Sequence, residues 1–211
     1  MAVIEYFYAT HSVYAYLGSS TFNKIISGTD HIIIHKPYNL PEAIKGIGST
    51  NIGERTEAHL DYFFRREVER WSEYREVPIK TFLPTHHFNS LVPSSTMILA
   101  GIKLGLEIDA LAHAMMKFHW IDDADLADKR TLKTIANSID IDPVPLLALS
   151  ETEDILTTFK ANTVEAIERS IFGSPTYIVD GDIFYGQDRL ELVERALNKP
   201  FQYNMKRRNI T

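Results

Sequence analysis

The sequence predicts a layered α/β fold in which a β-α-β unit opens the chain, a long helical block interrupts it and a β-β-α unit closes it. Three observations carry that reading. A β-branched and aromatic run at Val3 to Tyr8 is followed by helical periodicity and then a second such run. From about Glu54 to Arg169 the patterning is almost entirely helical. Strand character returns only between Thr176 and Tyr185.

Taken in order, Val3 to Tyr8 stops at Ala9-Thr10-His11-Ser12, a buried strand running into a helix cap. Val13 to about Ser27 is helical, with Val13, Leu17 and Ile25 near one face and Gly28 as the stop. His31 to Lys36 is a second strand, ended by Pro37. A strand, helix and strand at this spacing oblige the strands to pair in parallel through a right-handed crossover. Residues 42–53 (EAIKGIGSTNIG) read as a glycine-containing loop. The helical block then begins with Glu54 to Glu76, which carries Leu60, Phe63, Phe64, Val68 and Trp71 at helix spacing. Two more amphipathic helices follow at Ser94 to Leu104 and Ile108 to Phe118, and Pro78, Pro84, Pro93, Pro143 and Pro145 punctuate the block. Thr176 to Val179, the turn Asp180-Gly181 and Ile183 to Tyr185 form an antiparallel hairpin. A last helix runs from Gln187 to about Leu197, with Leu190, Val193 and Leu197 on one face. This order is that of a thioredoxin-like fold interrupted in its middle. Residues 1–53 and 170–200 would form the thioredoxin-like domain, 54–169 a helical lid and 201–211 a tail.

Composition narrows the chemistry. The chain has 211 residues and no cysteine. A disulfide framework, a redox pair, a cysteine nucleophile and thiolate metal ligation are all excluded. Any thiol chemistry must use another molecule's thiol. The 22 basic and 28 acidic side chains leave a net charge of -6 and no basic field to gather nucleic acid or anionic membrane, which favours a small-molecule partner. Lys206, Arg207 and Arg208 are the one basic cluster, a short and terminal one. No stretch reaches the roughly 18 to 20 apolar residues of a membrane span, and the opening lacks a signal peptide's basic start, so a cytoplasmic protein is expected.

Particular motifs go further. Tyr8 to Leu17 (YATHSVYAYL), Phe88 to Leu91 (FNSL), Trp120 with Asp125 to Asp128 (DLAD), Lys160 to Thr163 (KANT), Phe172 to Thr176 (FGSPT) and Phe184 to Leu190 (FYGQDRL) stand in one order along nearly the whole chain. As an ordered set they resemble the 2-hydroxychromene-2-carboxylate isomerases and kappa-class glutathione transferases, relatives of DsbA-like thioredoxin-fold proteins. The resemblance implies a glutathione-dependent enzyme in which a serine replaces the redox cysteine.

On that resemblance Ser12 falls on the family's serine, whose hydroxyl stabilises the thiolate of bound glutathione at a helix N-terminus. Ser12 also reads simply as a helix cap. Pro175 falls where the fold places a cis-proline, and Ser174 would present backbone N–H and C=O groups to the cysteinyl part of glutathione. Gln187 and Asp188 would receive the γ-glutamyl end, although an aspartate in a first helical turn is favourable in any protein. Lys45 and Asn51 match the family's contacts to the glycine end, with Ser49 the match if the loop carries no insertion. Arg55 and His59 are stand-ins for a further basic residue. Val13 stands where the family usually has proline and Ala15 where serine is frequent, and Thr10 and His11 also differ from the usual pair. These departures border the thiolate and bear on the acceptor substrate.

The activity implied is isomerisation by reversible thiolate addition to a conjugated aromatic keto acid. A kappa-like transferase acting on another electrophile, or a non-catalytic thioredoxin-like binding module, are the alternatives. Relatives are commonly homodimers, which composition does not show here. The 8 histidines give no H-E-x-x-H: His86-His87 are adjacent, His31 and His35 share a strand, and His113 with His119 miss the spacing of one helix face, so no metal site is expected. His119-Trp120 reads as packing or pocket wall, and His11 either as a neighbour tuning the thiolate or as an exposed loop residue. There is no nucleophile elbow, P-loop or dinucleotide fingerprint.

Overall fold

The computed structural model describes residues 1–80 and 83–202, so the basic cluster Lys206 to Arg208 lies outside the described residues. Strand β1 (Val3–Tyr8) leads into helix α1 (Val13–Ile26), capped by the Ser12 hydroxyl accepting from the Ala15 N–H. The helix stops before Gly28, whose φ of +71° suits glycine. Strand β2 (Ile32–Pro37) pairs with β1 in parallel, Val3 opposite Ile32 through Tyr8 opposite Pro37. Strands β3 (Thr176–Val179) and β4 (Asp182–Tyr185) form the expected hairpin around Asp180 and Gly181, both at positive φ. β3 runs antiparallel to β1, giving a four-stranded sheet of order β2-β1-β3-β4.

The loop expected at residues 42–53 is instead mostly structured. Helix α2 (Leu40–Gly46) carries Pro41 in its first turn, where no N–H is required, and Glu42 beside its positive end. It buries Ala43 against Phe7 and Tyr38, and a side chain at Gly46 would stand 2.7 Å from the Ile167 Cδ1 atom. The glycine that looked like a loop signal is therefore a contact point between helices. Ile52–Glu54 then forms a single 3₁₀ turn.

The helical block opens with α3 (Glu57–Leu60), a π-helical stretch (Asp61–Arg66) and α4 (Glu67–Arg75), a continuous rod that Glu76 ends in the left-handed conformation. It continues with α5 (Val92–Lys103), α6 (Ile108–Asp122), α7 (Lys129–Asn137), α8 (Pro143–Ser150) and α9 (Glu153–Glu168). After the hairpin, Gln187–Arg189 forms a 3₁₀ turn before α10 (Leu190–Asn198), so the last helix starts tighter than its periodicity implies.

Side chains alternate across β1 as strand geometry requires. Ile4, Tyr6 and Tyr8, with Tyr177 and Val179 of β3, enter the main hydrophobic cluster with residues of α1, α5, α6 and α10. Phe7 and Ile178 point to the opposite face, against Ala43 of α2 and Ala166 of α9. Tyr6 stacks on Tyr8 at 4.3 Å and on Tyr177 at 5.1 Å between ring centroids. Such pairs add about 0.5–1.5 kcal/mol each beyond their burial. These contacts fasten β3 beside β1, which brings residue 174 to the start of α1. Among the described residues no helix is long and apolar enough to cross a membrane.

Candidate functional site

Ser12 lies at the N-terminus of α1, a 14-residue helix with no acidic side chain in its first turn to offset the positive end of its dipole. Its hydroxyl is buried and makes two bonds: it accepts from the Ala15 N–H at 3.2 Å and donates to the Ser174 carbonyl at 3.0 Å. The cap and the functional reading are thus compatible, since the proton and the lone pairs serve different partners. Ser174 is locked in turn, its Oγ accepting from the Ala9 N–H at 2.9 Å. The Ser174-Pro175 peptide bond is cis. The Pro175 carbonyl accepts from the Gly186 N–H at 2.9 Å, which ties the hairpin end to the same locus.

Gly186 (φ +101°) adopts a conformation open to glycine, and a Cβ there would fall 2.3 Å from an Asp188 carboxylate oxygen. Asp188 therefore folds back over Gly186 and pairs with the Arg189 guanidinium while staying partly exposed. Gln187 behaves differently from Asp188. It is 1% exposed, and its Oε1 and backbone carbonyl both accept from Arg75, the latter at 2.8 Å. Arg75 also donates to Thr21 Oγ1 at 2.8 Å. A side chain at Gly18 would stand 2.6 Å from the Gln187 Cβ atom, so α1 and the 3₁₀ turn touch nearly backbone to backbone. The Gln187 amide oxygen and main-chain carbonyl are thus both occupied inside the protein.

The predicted glycine-end residues are dispersed. Lys45 is exposed in the last turn of α2, and Ser49 is exposed beyond it. Asn51 opens the 3₁₀ turn, its N–H taken by the Glu54 carboxylate at 3.1 Å. Arg55 is better placed. Its guanidinium lies 5.7 Å from the centroids of both Phe63 and Phe64 and donates to the Thr50 carbonyl. His59 contacts it at 3.3 Å. Burial raises the Tyr185 phenol pKa, and the Arg55 charge works against that rise, which places Arg55 electrostatically next to β4. Tyr14, in the first turn of α1, donates from its hydroxyl to the Phe63 carbonyl.

The helical block meets the site through Trp120, whose indole N–H donates to the His11 carbonyl at 3.0 Å. His11 is buried rather than exposed, and His119 and Trp120 are buried as a wall. The sequence reasoning missed Arg75 and Thr21, and it weighed His87 only as a metal ligand. The glycine at position 18, inside a helix, was the available signal of a close approach.

Residues 3–198 match the family model of the DSBA-like thioredoxin domain. The chain is 24% identical over 196 residues to a 2-hydroxychromene-2-carboxylate isomerase of Sphingobium xenophagum, covering 92% of this chain and 97% of that protein. It is 21% identical over 217 residues to glutathione S-transferase kappa 2 of Caenorhabditis elegans, covering 97% and 95%. Among solved structures, a selenomethionine 2-hydroxychromene-2-carboxylate isomerase superposes with a TM-score of 0.74 at 18% identity over 93% of this chain and 95% of that one, a likeness of fold.

Proposed function

The chain belongs to the DSBA-like thioredoxin domain family, and we propose that it is a glutathione-dependent isomerase resembling the 2-hydroxychromene-2-carboxylate isomerases. The observation that carries the proposal is the Ser12 hydroxyl, held at a helix N-terminus against the carbonyl that precedes the cis-proline, in a chain without cysteine. Disulfide exchange through a cysteine of its own is closed to such a site, whereas stabilising a bound thiolate is open to it.

The residues present fit glutathione. Ser174 keeps its side chain occupied and so leaves its backbone to an extended peptide. Asp188 offers a carboxylate to an ammonium, and the N–H groups of the turn beside it suit a carboxylate. Arg55, rather than Lys45, Asn51 or Ser49, is our candidate for a second carboxylate. When bound, glutathione supplies a nucleophilic thiolate that adds to a conjugated carbon and later leaves unchanged. Ser12 then has one task. Its hydroxyl proton turns from the Ser174 carbonyl to the sulfur, while its lone pair keeps the Ala15 N–H. The helices of residues 54–169 act as the lid that selects a small aromatic or electrophilic substrate.

The kappa transferase likeness supports a second reading, in which the thioether product is released. Calorimetric titration with glutathione tests the site, and product analysis separates the two outcomes: recovered glutathione for the isomerase, a stable thioether for the transferase. No detectable binding of glutathione would refute both.

A further inference from the structure

A row of imidazoles starts one residue before Ser12. His11 is 9% exposed, and its Nδ1 atom is enclosed without a hydrogen-bond partner. Its ring lies 4.6 Å from that of His87, centroid to centroid. His87 Nδ1 lies 3.1 Å from His119 Nε2, and His119 Nδ1 lies 2.9 Å from the Ala124 carbonyl. The direction of this chain follows from its last member. A carbonyl only accepts, so His119 Nδ1 carries the hydrogen and the neutral ring's Nε2 must accept. His87 Nδ1 therefore donates, and His87 Nε2 is left as an open lone pair.

This arrangement is unsuited to a metal, because the N–H···N bond uses the lone pair a cation would need. Among the described residues no group of three or more His, Cys, Asp or Glu side chains could hold one. The groups acting on the row are its own members, together with His86, Asp123 and Asp125 near His119. Burial and the neighbouring rings hold His11 well below its ordinary pKa and push His87 down to about 3. With no thiolate beside it, the row is therefore neutral at pH 7. Nothing in the family resemblance assigns it a role.

The geometry points to His11 and His87 as the proton acceptors of the Ser12 site, receiving the thiol proton of bound glutathione and returning it when the thiolate has reacted. This inference rests on the glutathione reading. In the step, the S–H bond breaks with its electron pair kept on sulfur, and a new N–H bond forms on His11 or His87. A thiolate and an imidazolium replace a thiol and an imidazole, so the net charge is unchanged. The new anion beside the row raises the histidines' proton affinity, as in other thiolate–imidazolium pairs. On addition to a conjugated carbonyl, the electron pair displaced onto oxygen or carbon takes that proton back. His119 is a positioning residue that fixes the His87 tautomer.

The test measures protons rather than turnover. Glutathione binding is followed at pH 7 by calorimetry in two buffers of different ionisation enthalpy, with thiolate absorbance recorded in parallel. The wild-type protein should form thiolate with little net proton release. His11→Asn and His87→Phe should either release about one proton per thiolate or lose the thiolate, and His87→Phe, at a half-buried position, guards against a His11 variant that does not fold. Nitrogen NMR of the ligand-free protein should also find His87 and His119 as Nδ1–H tautomers. Full proton release by the wild type, unchanged in both variants, would overturn the inference while leaving the glutathione site intact. A His87 Nε2–H tautomer would also overturn it. Failure of the wild type to bind glutathione would instead remove the glutathione reading itself.

Discussion

Replacing Arg75 by methionine keeps much of its stem but removes a guanidinium that holds the 3₁₀ turn before α10 onto α1. That group donates to Gln187 Oε1, to the Gln187 carbonyl at 2.8 Å and to Thr21 Oγ1 at 2.8 Å. Thr21 can find water, but Gln187 is 1% exposed and its amide oxygen would be stranded. A stranded buried acceptor costs about 1–3 kcal/mol, and a hydrogen bond from a charged donor is worth about 1.5–3 kcal/mol. With partial rescue by water at the main-chain carbonyl, the expected loss is about 3 kcal/mol. For a chain of this size, 1 kcal/mol moves Tm by about 2–4 °C, so the midpoint should fall by roughly 6–12 °C. Urea unfolding of Arg75→Met, Gln187→Met and the double variant measures the coupling. The double variant should be less damaged than the two losses summed, by about 1–2 kcal/mol, because the buried amide oxygen that Arg75→Met alone would strand is then absent. An Arg75→Met protein within about 0.5 kcal/mol of wild type, or strictly additive losses, would refute the role given to this arginine.

Gly186→Ala places a side chain at φ +101° and 2.3 Å from the Asp188 carboxylate, so it should cost about 1–3 kcal/mol and weaken glutathione binding as well. Unchanged affinity by calorimetry would remove Asp188 from the ligand site. The histidine row also predicts a pH dependence of stability. His87 binds a proton near 6.5 when unfolded but only near 3 when folded, so its contribution is complete above about pH 6.5 and declines as pH falls toward 3. Each such group gives a slope of about 1.4 kcal/mol per pH unit. Urea midpoints between pH 7 and pH 5 should fall in the wild type and fall less in His87→Phe, whereas equal slopes would contradict the buried neutral ring.

The strands were legible because short β-branched and aromatic runs between turn residues admit few other structures, and the Asp180-Gly181 pair marks its hairpin directly. Helix α2 was not legible, since Pro41, Gly46 and Gly48 look like loop punctuation until Ile167 is seen packed on Gly46. The site divides in the same way. Ser12 could be read as a cap from its neighbours, but its bond to Ser174 spans 162 residues and only the family motifs pointed there. Gln187 was named for a ligand and is instead buried against Arg75, a pairing across 112 residues that no local pattern encodes. His87 was weighed only as a metal ligand beside His86, because that adjacency says nothing of His11 or His119.

The central claim is that Ser12 stabilises a thiolate the chain itself does not own. It is tested most directly by the pH titration of the ultraviolet thiolate band of bound glutathione in the wild type and in Ser12→Ala. A hydrogen bond to the charged form worth about 1.5–3 kcal/mol corresponds to about one to two pKa units. The wild-type complex should titrate well below the free-thiol value of about 8.5, and Ser12→Ala should bind glutathione yet titrate one to two units higher. Binding with the same thiol pKa in both proteins would contradict the account.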